Sequence, residues 1–319
     1  MKKIITFAPL ICVALYCIFT LLVPAVPTFG FVCALLLMLT GAFAVFRNSK
    51  IVFTVYNLVA VVATYLVYRD IAFSAVYALS YIAAGFWLCY SLLRKKGGVY
   101  AIIVTLICIV MADYGSVAIS NVLHGKTALA FIDEIFDTLR PIVVETISQN
   151  AEIFKVKNAE QFFDLYAMTV KMFLPAIVII IELIKTIILT FLTKVIVNRT
   201  LKGIAIDLRF AMFKADGVTV FVYLLSLLIS AFAKSDVMSV VFGNFYIILS
   251  MVLTLCGLSL FDWYLRDIKK VRIFFRFLII VFISAISLVL AVPVAVMNVL
   301  ALVDARRNFR EIGVITQDK

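Results

Sequence analysis

Charged residues and histidine are scarce in this sequence. Charged residues make up 15% of the 319 residues, where a soluble globular chain has about a quarter, and there is one histidine, His124. A lone histidine excludes His-rich metal sites and two-histidine motifs such as H-E-x-x-H. Low charge combined with high hydrophobicity also excludes a disordered chain, because disorder goes with the opposite composition.

Motifs that would identify an enzyme or a motor protein are also absent. The six cysteines lie inside apolar runs and form no C-x-x-C pair, so neither a zinc site nor a disulfide framework is indicated. The sequence has no G-x-x-x-x-G-K-[ST] loop for nucleotide phosphates, no G-x-S-x-G elbow and no kinase signature. We therefore expect a chain that is not an enzyme, with no catalytic residues and no bound cofactor or metal.

Apolar residues dominate the composition instead. They make up 65% of the chain, the mean hydropathy is +1.17, and 28 Phe and 13 Tyr are spread along long apolar runs. A soluble domain of this length has no interior large enough to bury so much apolar surface. Runs of about 20 apolar residues match the roughly 30 Å of a bilayer's hydrocarbon core. The sequence therefore predicts an all-α polytopic transmembrane helical bundle in contact with the lipid bilayer.

Hydropathy predicts about eight to ten spans, depending on how the last apolar run is divided. That run, residues 273–303, is long for one span, and Pro293 is expected to break it into two hairpin-like halves. If the run forms two halves, Arg306, Arg307 and Arg310 lie on the same side of the membrane as the N-terminus. If it forms one span, they lie on the opposite side. The predicted helices cover residues 4–23, 29–46, 51–68, 71–93, 99–123, 172–197, 218–233, 240–265 and 273–303.

The loops carry their positive charge mainly on one side. Loops on the side of the N-terminus hold seventeen lysines and arginines, whereas the short loops on the opposite side hold Arg69 and Lys234. Because cytoplasmic loops are enriched in Lys and Arg, we expect a bacterial cytoplasmic membrane protein with a cytoplasmic N-terminus. These loops also explain the net charge of +11. No basic patch is interleaved with aromatic residues, so nucleic acid is not an expected partner.

One polar segment interrupts the apolar runs and divides the chain into predicted regions. Residues 1–123 form an N-terminal membrane bundle of five spans, 124–171 an external insert, 172–310 a C-terminal membrane bundle, and 311–319 a polar tail. Apolar residues in the insert recur at steps of three and four, which predicts an amphipathic helix. These residues are Leu129, Ile132, Phe136, Leu139, Val143 and Ile147.

A second helix of the insert is predicted to begin at Asn158. Asn158 followed by Gln161 has the spacing of a capping box. The helix is expected to continue into the sixth span, with a kink at Pro175. The insert is either a lid or partner-docking element over an external cavity, or a helical hairpin lying on the outer membrane interface.

Four polar residues at membrane depth are candidates for solute binding: Asp113, Glu182, Asn57 and Asn244. An ionisable side chain in mid-membrane costs about 2.5–3.5 kcal/mol on insertion scales, so each one needs a compensating role. Glu182 either pairs with Lys185, or lines a hydrated cavity with Asp113 and binds a cation, a proton or a cationic solute. The asparagines either join helices through hydrogen bonds or contact a solute.

The second half of the chain contains short motifs in a recognisable order. A Leu-Pro pair comes first, an Asn and a Gly follow, and an Asp and a Phe-Arg pair come last. The segments are Phe173-Leu174-Pro175, Gly243-Asn244-Phe245, Leu255-Cys256-Gly257-Leu258-Ser259, and Asp304 with Phe309-Arg310. Over roughly residues 170–310 this order resembles the YybS-like family of uncharacterised bacterial multi-pass membrane proteins, a domain-of-unknown-function family. The resemblance implies that five residues occupy family-motif positions: Pro175, Asn244, Gly257, Asp304 and Arg310.

The resemblance and the missing motifs lead to two functional hypotheses. The helix count is similar to that of the substrate-binding S components of energy-coupling-factor transporters, which implies a small-solute uptake subunit without its own ATPase. Its partner would be a transporter motor. The alternative is a non-catalytic membrane scaffold or regulator of envelope processes, whose insert binds an envelope protein.

Overall fold

The computed structural model describes residues 2–46, 50–94, 98–149, 158–201, 208, 210, 213–233, 235–289, 291–307 and 309–310. Every regular element within these ranges is a helix and none is a strand, which confirms the all-α prediction. Three features named above lie outside the described residues: the polar tail 311–319, residues 150–157 of the insert, and Lys234.

The first half of the chain is a series of apolar helices separated by short turns. Arg69, at φ 57°, ends the turn after the third helix, and Asp70 is the N-cap of the fourth. Asp70 Oδ1 accepts a hydrogen bond from Phe73 N at 2.9 Å, which satisfies one of the free N–H groups of that first turn. The elements are α1 (Lys2–Leu22), α2 (Phe29–Ala44), α3 (Lys50–Tyr68), α4 (Ile71–Leu93), α5 (Gly98–Val110), the π-helical turn π1 (Met111–Gly115) and α6 (Ser116–Leu123).

The second half contains one very long helix that begins where the sequence predicts. Asn158 Oδ1 accepts hydrogen bonds from Glu160 N at 3.0 Å and Gln161 N at 3.2 Å, which confirms the predicted N-cap. The helix then continues without interruption past Pro175. The elements are α7 (Ala130–Gln149), α8 (Ala159–Thr200), α9 (Gly217–Phe232), α10 (Asp236–Trp263), the π-helical turn π2 (Tyr264–Ile268), α11 (Ile273–Val289) and α12 (Ala291–Arg307).

Several helices are long and apolar enough to cross a membrane by themselves. Among the described residues four helical segments satisfy both length and composition, and α11 with α12 adds a fifth if the bent pair is one span. Four further apolar segments have 10–17 residues, and two of them belong to α1 and α3, which have 21 and 19 residues, so the count of eight to ten spans stays a prediction. A perpendicular span needs about 20 residues. The shorter segments are Ala8–Leu22, Phe29–Ala44, Phe53–Tyr68 and Gly217–Phe232.

The chain packs into two compact units whose boundary differs from the predicted domain boundaries. Unit one contains residues 1–171 and 181–207, and unit two contains residues 172–180 and 208–319. The insert thus belongs with the N-terminal bundle. The part of α8 after residue 180, predicted in the C-terminal bundle, also packs with unit one, where Leu189 and Val197 are fully buried in its core. Hydropathy locates a helix but carries no information about which neighbours it packs against.

Two glycines bring α2 and α4 of unit one into backbone contact. A Cβ atom on Gly41 would lie 1.8 Å from Ile82 O, and one on Gly85 would lie 1.8 Å from Met38 O. Only glycine fits at either position, because the facing atoms belong to the backbone and have no room to move. Small residues allow such close helix approach, which supplies the van der Waals contact that drives packing in lipid.

The insert forms an antiparallel helical hairpin within unit one. Lys171 Nζ contacts Asp133 Oδ1 at 2.6 Å, and Arg140 pairs with Asp164. The start of α7 therefore lies beside the later of the two positions on α8, which makes the two helices antiparallel. A hairpin is compatible with both expectations for the insert, a lid or docking element and an element on the membrane interface, so both stay predictions. The predicted apolar face is only partly right, because Ile132 and Ile147 are buried whereas Leu129 and Leu139 are exposed.

The last apolar block contains two described helices. Its two parts, α11 and α12, are bent by 120° relative to each other. Pro293, expected from the sequence to break this block, lies in the first turn of α12. The first turn is where a helix tolerates proline, because an N–H at that position has no partner within the helix.

Candidate functional site

Two carboxylates of unit one share a single lysine ammonium. Lys185 Nζ is paired with Asp113 Oδ2 and lies 3.6 Å from Glu182 Oε2. Tyr81 OH lies 2.8 Å from Asp113 Oδ1 and 2.9 Å from Oδ2, and donates its hydrogen bond to this carboxylate. We call Tyr81, Asp113, Glu182 and Lys185 the acid–lysine cluster. It brings together residues of α4, π1 and α8 that are far apart in the sequence.

Each member of the cluster projects from a helix of unit one. Tyr81 is fully buried on α4 and its ring lies 5.4 Å from Lys185 Nζ, within the range of a cation–π contact. Glu182 and Lys185 are three residues apart on α8 and therefore project from neighbouring positions on one face. Asp113 lies at the centre of π1.

The π-helical turn at Asp113 is a local departure from regular helix in the middle of a span. Such turns insert an extra residue into the helical ladder and often occur at functional sites. Directly after Asp113, the Ser116 hydroxyl donates to Ala112 O at 2.5 Å and so satisfies one of the carbonyls of the turn. The turn aims a carboxylate at α8.

The cluster carries one negative charge in excess. It holds two carboxylates and one ammonium, so full ionisation leaves a net charge of −1. The side chains of Lys185 and Asp113 are 24% and 19% exposed, whereas that of Glu182 is 5% exposed and its Oε2 accepts no hydrogen bond from the described residues. An incompletely paired carboxylate inside the bundle is costly, and this points to a role in binding a proton or a cationic group.

For Glu182, the structure shows the expected contact with Lys185 and the expected proximity to Asp113, whereas binding of a cation stays a prediction. Glu182 does contact Lys185, but the closer partner of Lys185 is Asp113, seventy-two residues away in sequence. Asp113 and Glu182, predicted to line one site, do converge. Tyr81, whose hydroxyl donates to Asp113, is not among the four residues predicted to bind a solute.

The two candidate asparagines lie elsewhere. Asn57, on α3, is half-buried, and its Oδ1 has no hydrogen-bond partner in the described part of the chain. Asn244 belongs to unit two, where its amide bonds to the backbone of α8 beside Pro175. These hydrogen bonds favour the expected role of joining helices over solute contact. Neither asparagine is among the residues that contact the acid–lysine cluster.

The remaining family-motif positions cluster around α10 and α12 of unit two. A Cβ atom on Gly257 would lie 2.1 Å from Met297 O, so this glycine permits a close helix crossing. Arg310 donates hydrogen bonds to Asp304 Oδ2 at 3.1 Å, Ser259 Oγ at 3.1 Å and Phe213 O at 2.7 Å. These contacts hold unit two together.

An apolar groove of about 340 Å³ lies between α1 and α3. None of the predicted site residues lines this groove, and its composition suits a lipid acyl chain or an apolar helix. Its lining residues are Cys17, Leu21, Leu58, Val59, Val62, Ala63 and Leu66.

Comparison with known proteins assigns the family. The family model described as "Predicted membrane protein (DUF2232)" matches residues 14–304. The chain belongs to the DUF2232 family. Membership agrees with the resemblance to YybS-like proteins of unknown function and gives no support for similarity to S components. Searches of curated proteins and of solved structures return no match for this DUF2232 chain.

Proposed function

We propose that this chain is the solute-binding membrane subunit of a bacterial uptake system and has neither catalytic activity nor an ATPase of its own. The supporting observation is the acid–lysine cluster, which places an incompletely paired carboxylate inside an apolar helical unit. Residues of this kind in membrane helices are rare and mark substrate or ion pathways. Energy for uptake would come from a separate motor protein.

The charge of the cluster indicates the chemical class of the solute. A small solute with one cationic group would neutralise the excess charge of Asp113 and Glu182. Glu182 Oε2 would accept a hydrogen bond from that cationic group. The Lys185 ammonium would contact an electronegative part of the same solute. We therefore propose a small amine or guanidine that carries a polar or acidic group as well.

Native mass spectrometry of the full chain, gently extracted from its own membrane, tests this proposal. We expect a retained small molecule in the wild type that is lost from the Asp113→Asn and Glu182→Gln variants. Asp133→Asn is the matched control, because Asp133 also pairs with a lysine but lies on the exposed insert hairpin. Retention of the molecule by both cluster variants would refute the site, and a variant that loses the molecule together with its fold would be recognised by its circular dichroism.

The second candidate function, a scaffold or regulator of envelope processes, is supported by the insert hairpin. Ile135, Leu139 and Ile142 are exposed at steps of four and three along α7, and form one apolar face. Such a face on a polar element suits a protein partner or the membrane interface. A variant with serine at these three positions should lose a co-purifying envelope protein if this function is correct, and should leave the retained small molecule unchanged.

We further propose that the chain resides in the bacterial cytoplasmic membrane with its N-terminus in the cytoplasm. The loop charges support this orientation, as does the division of the last apolar block into α11 and α12. A C-terminal reporter enzyme that is active only in the cytoplasm should then be active. Activity of an exclusively periplasmic reporter at the same position would contradict the orientation.

A further inference from the structure

A turn rich in basic residues joins α10 to α11 in unit two. Between residues 262 and 276 the chain has five basic and two acidic residues, which gives a net charge of +3. We call residues 264–272, which contain π2 and the link to α11, the basic turn. Apolar helices on both sides of the basic turn place it at the level of the lipid headgroups. The five basic residues are Arg266, Lys269, Lys270, Arg272 and Arg276.

Backbone hydrogen bonds fix the shape of the basic turn. Lys269 N donates to Tyr264 O at 3.1 Å, and Val271 N donates to Leu265 O at 2.9 Å. Between these two donors lies Lys270, whose φ of 53° is in the left-handed region. Glycine usually occupies such a position after the end of a helix, because a side chain adds a steric cost there. The chain thus places a cation at a backbone position that glycine would fill at lower cost.

The two acidic residues of this region are each paired with an arginine. Asp267 accepts hydrogen bonds from Arg266 Nε at 2.9 Å and from Arg266 Nη2 at 2.8 Å. The buried Asp262 carboxylate lies 3.4 Å from Arg276 Nε. The second pair joins the first turn of α11 to the end of α10. Both carboxylates are therefore used within the protein.

Three cations of the basic turn remain without an acidic partner. Lys269, Lys270 and Arg272 are exposed, and none of them forms an ion pair with a carboxylate in the described part of the chain. The contact nearest to one is a cation–π contact, in which Lys269 Nζ lies 5.7 Å from the centre of the Tyr264 ring. Three like charges within four residues repel one another, so an anion that binds among them is stabilised.

An exposed apolar face begins directly after these cations. Ile273, Phe274 and Phe277 are 76%, 64% and 63% exposed. Phe274 and Arg276 are two residues apart, which places them about 200° apart around the helix. Because Arg276 is turned towards Asp262 of α10, Phe274 is turned away from α10. The exposed apolar residues continue along α11 with Leu278, Val281 and Phe282.

We propose that the basic turn and the exposed face of α11 bind one phospholipid with an anionic headgroup. The lipid phosphate lies against Lys269, Lys270 and Arg272, and an acyl chain lies along Phe274 and Phe277. Basic clusters beside membrane helices attract anionic lipids, and a guanidinium matches the geometry of a phosphate. A lipid fits better than a free phosphate ion, because the cations directly adjoin an apolar surface.

This site is independent of the proposed function. The basic turn and α11 belong to unit two, whereas the acid–lysine cluster belongs to unit one. Binding of a lipid requires neither the solute nor a motor protein.

Native mass spectrometry of the full chain in detergent, with added lipid, tests the proposal. The probes are phosphatidylglycerol, which is anionic, phosphatidylcholine, which has no net charge, and inorganic phosphate. We expect one phosphatidylglycerol to stay bound under conditions in which phosphatidylcholine dissociates. Inorganic phosphate at the same concentration should not displace the phosphatidylglycerol, because it has no acyl chain to contact α11.

Variants that remove charge locate the site. Lys269→Gln combined with Arg272→Gln should weaken phosphatidylglycerol binding by about 25-fold, which is about fivefold for each charge removed. Lys270→Gln alone should weaken it by about fivefold and replaces the double variant should that variant fail to fold. The matched control, Lys126→Gln combined with Lys171→Gln, removes the same charge from the exposed insert hairpin and should bind as the wild type does.

Four results would overturn the proposal. Equal retention of phosphatidylglycerol and phosphatidylcholine would show that the headgroup charge is not recognised. Displacement by inorganic phosphate would show a site for a free anion. Unchanged affinity in the variants of the basic turn would place the lipid elsewhere on the protein. A dimer that is lost in the same variants would assign this surface to a second copy of the chain. None of these results changes the retention of a solute at the acid–lysine cluster, so the two proposals can fail separately.

Discussion

The side chain of Asn244 bonds the two backbone groups that flank Pro175 in α8. Asn244 Nδ2 donates to Met172 O at 2.9 Å, and Asn244 Oδ1 accepts from Ala176 N at 3.0 Å. In an unbroken helix these two backbone groups bond to each other, since they belong to residues i−4 and i. Proline lacks an N–H and its ring disturbs the preceding turn. The Asn244 amide therefore completes the hydrogen bonding of a helix segment that proline has weakened, as polar side chains do in membrane helices.

Asn244→Ala should destabilise the protein because it leaves Met172 O and Ala176 N without these bonds. Leaving a buried polar group unsatisfied costs about 1–3 kcal/mol. Thermal unfolding in detergent, followed by helical circular dichroism, measures the loss. Asn57→Ala is the control and should cost less, because Oδ1 of Asn57 has no partner among the described residues.

Replacing Pro175 tests whether the proline is the reason for this bond. Alanine at position 175 allows a regular helical ladder, so Asn244→Ala should cost less in a Pro175→Ala background than in the wild type. A double-mutant cycle measures that difference directly. Equal costs in the two backgrounds would show that Asn244 stabilises the protein independently of Pro175.

Gly41→Ala should disrupt the crossing of α2 and α4. The new Cβ would lie 1.8 Å from Ile82 O, so the helices must separate, and overpacking typically costs about 1–3 kcal/mol or more. Gly30→Ala on the same helix is the matched control, because it has open space around it and gains about 0.5–1 kcal/mol of helix propensity. Similar unfolding temperatures for the two variants would contradict the close crossing.

Arg310→Gln should strongly destabilise unit two. It leaves the buried Asp304 carboxylate without its charged partner, and breaking a buried ion pair in this way costs about 3–5 kcal/mol. Arg307→Gln, at an exposed position on α12, should change stability little. Adding Asp304→Asn to Arg310→Gln should recover part of the loss, since no charge then remains unpaired. Denaturant unfolding of the three variants checks this order.

Asp70, in the turn between α3 and α4, should make the unfolding temperature fall at acid pH. A hydrogen bond from Ser120, and then one from the Phe73 backbone, hold the pKa of Asp70 below its ordinary value. A carboxyl whose pKa is lowered by folding stabilises the protein above its unfolded pKa, and this contribution is lost as pH falls through the folded pKa. The unfolding temperature should therefore drop below about pH 4.

The Ser120→Ala variant isolates this contribution. It removes the largest cause of the lowered pKa, so its unfolding temperature should fall less steeply over the same acid range than that of the wild type. Parallel curves for the two proteins would show that the acid sensitivity arises elsewhere in the chain.

Much of the helical architecture follows from local sequence. Capping groups and apolar runs, which neighbouring residues determine, fix the start of α8 at Asn158 and the turn at Arg69 and Asp70. Composition alone places the chain among membrane proteins, because this much apolar surface requires lipid.

The sites depend on contacts that no local pattern records. Asp113 and Lys185 meet across seventy-two residues, and Asn244 bonds Ala176 across sixty-eight. Sequence reasoning selected Asp113, Glu182 and Asn244 because polar groups are costly in lipid, but it had no means of telling which of them meet. Asp113 meets Glu182 and Lys185 only because α8 packs against α4 and π1. Asn244 bonds to α8 only because α10 packs beside Pro175. The sequence determines where helices form because that choice is local, whereas tertiary structure determines which polar groups share a site because that choice depends on distance in space.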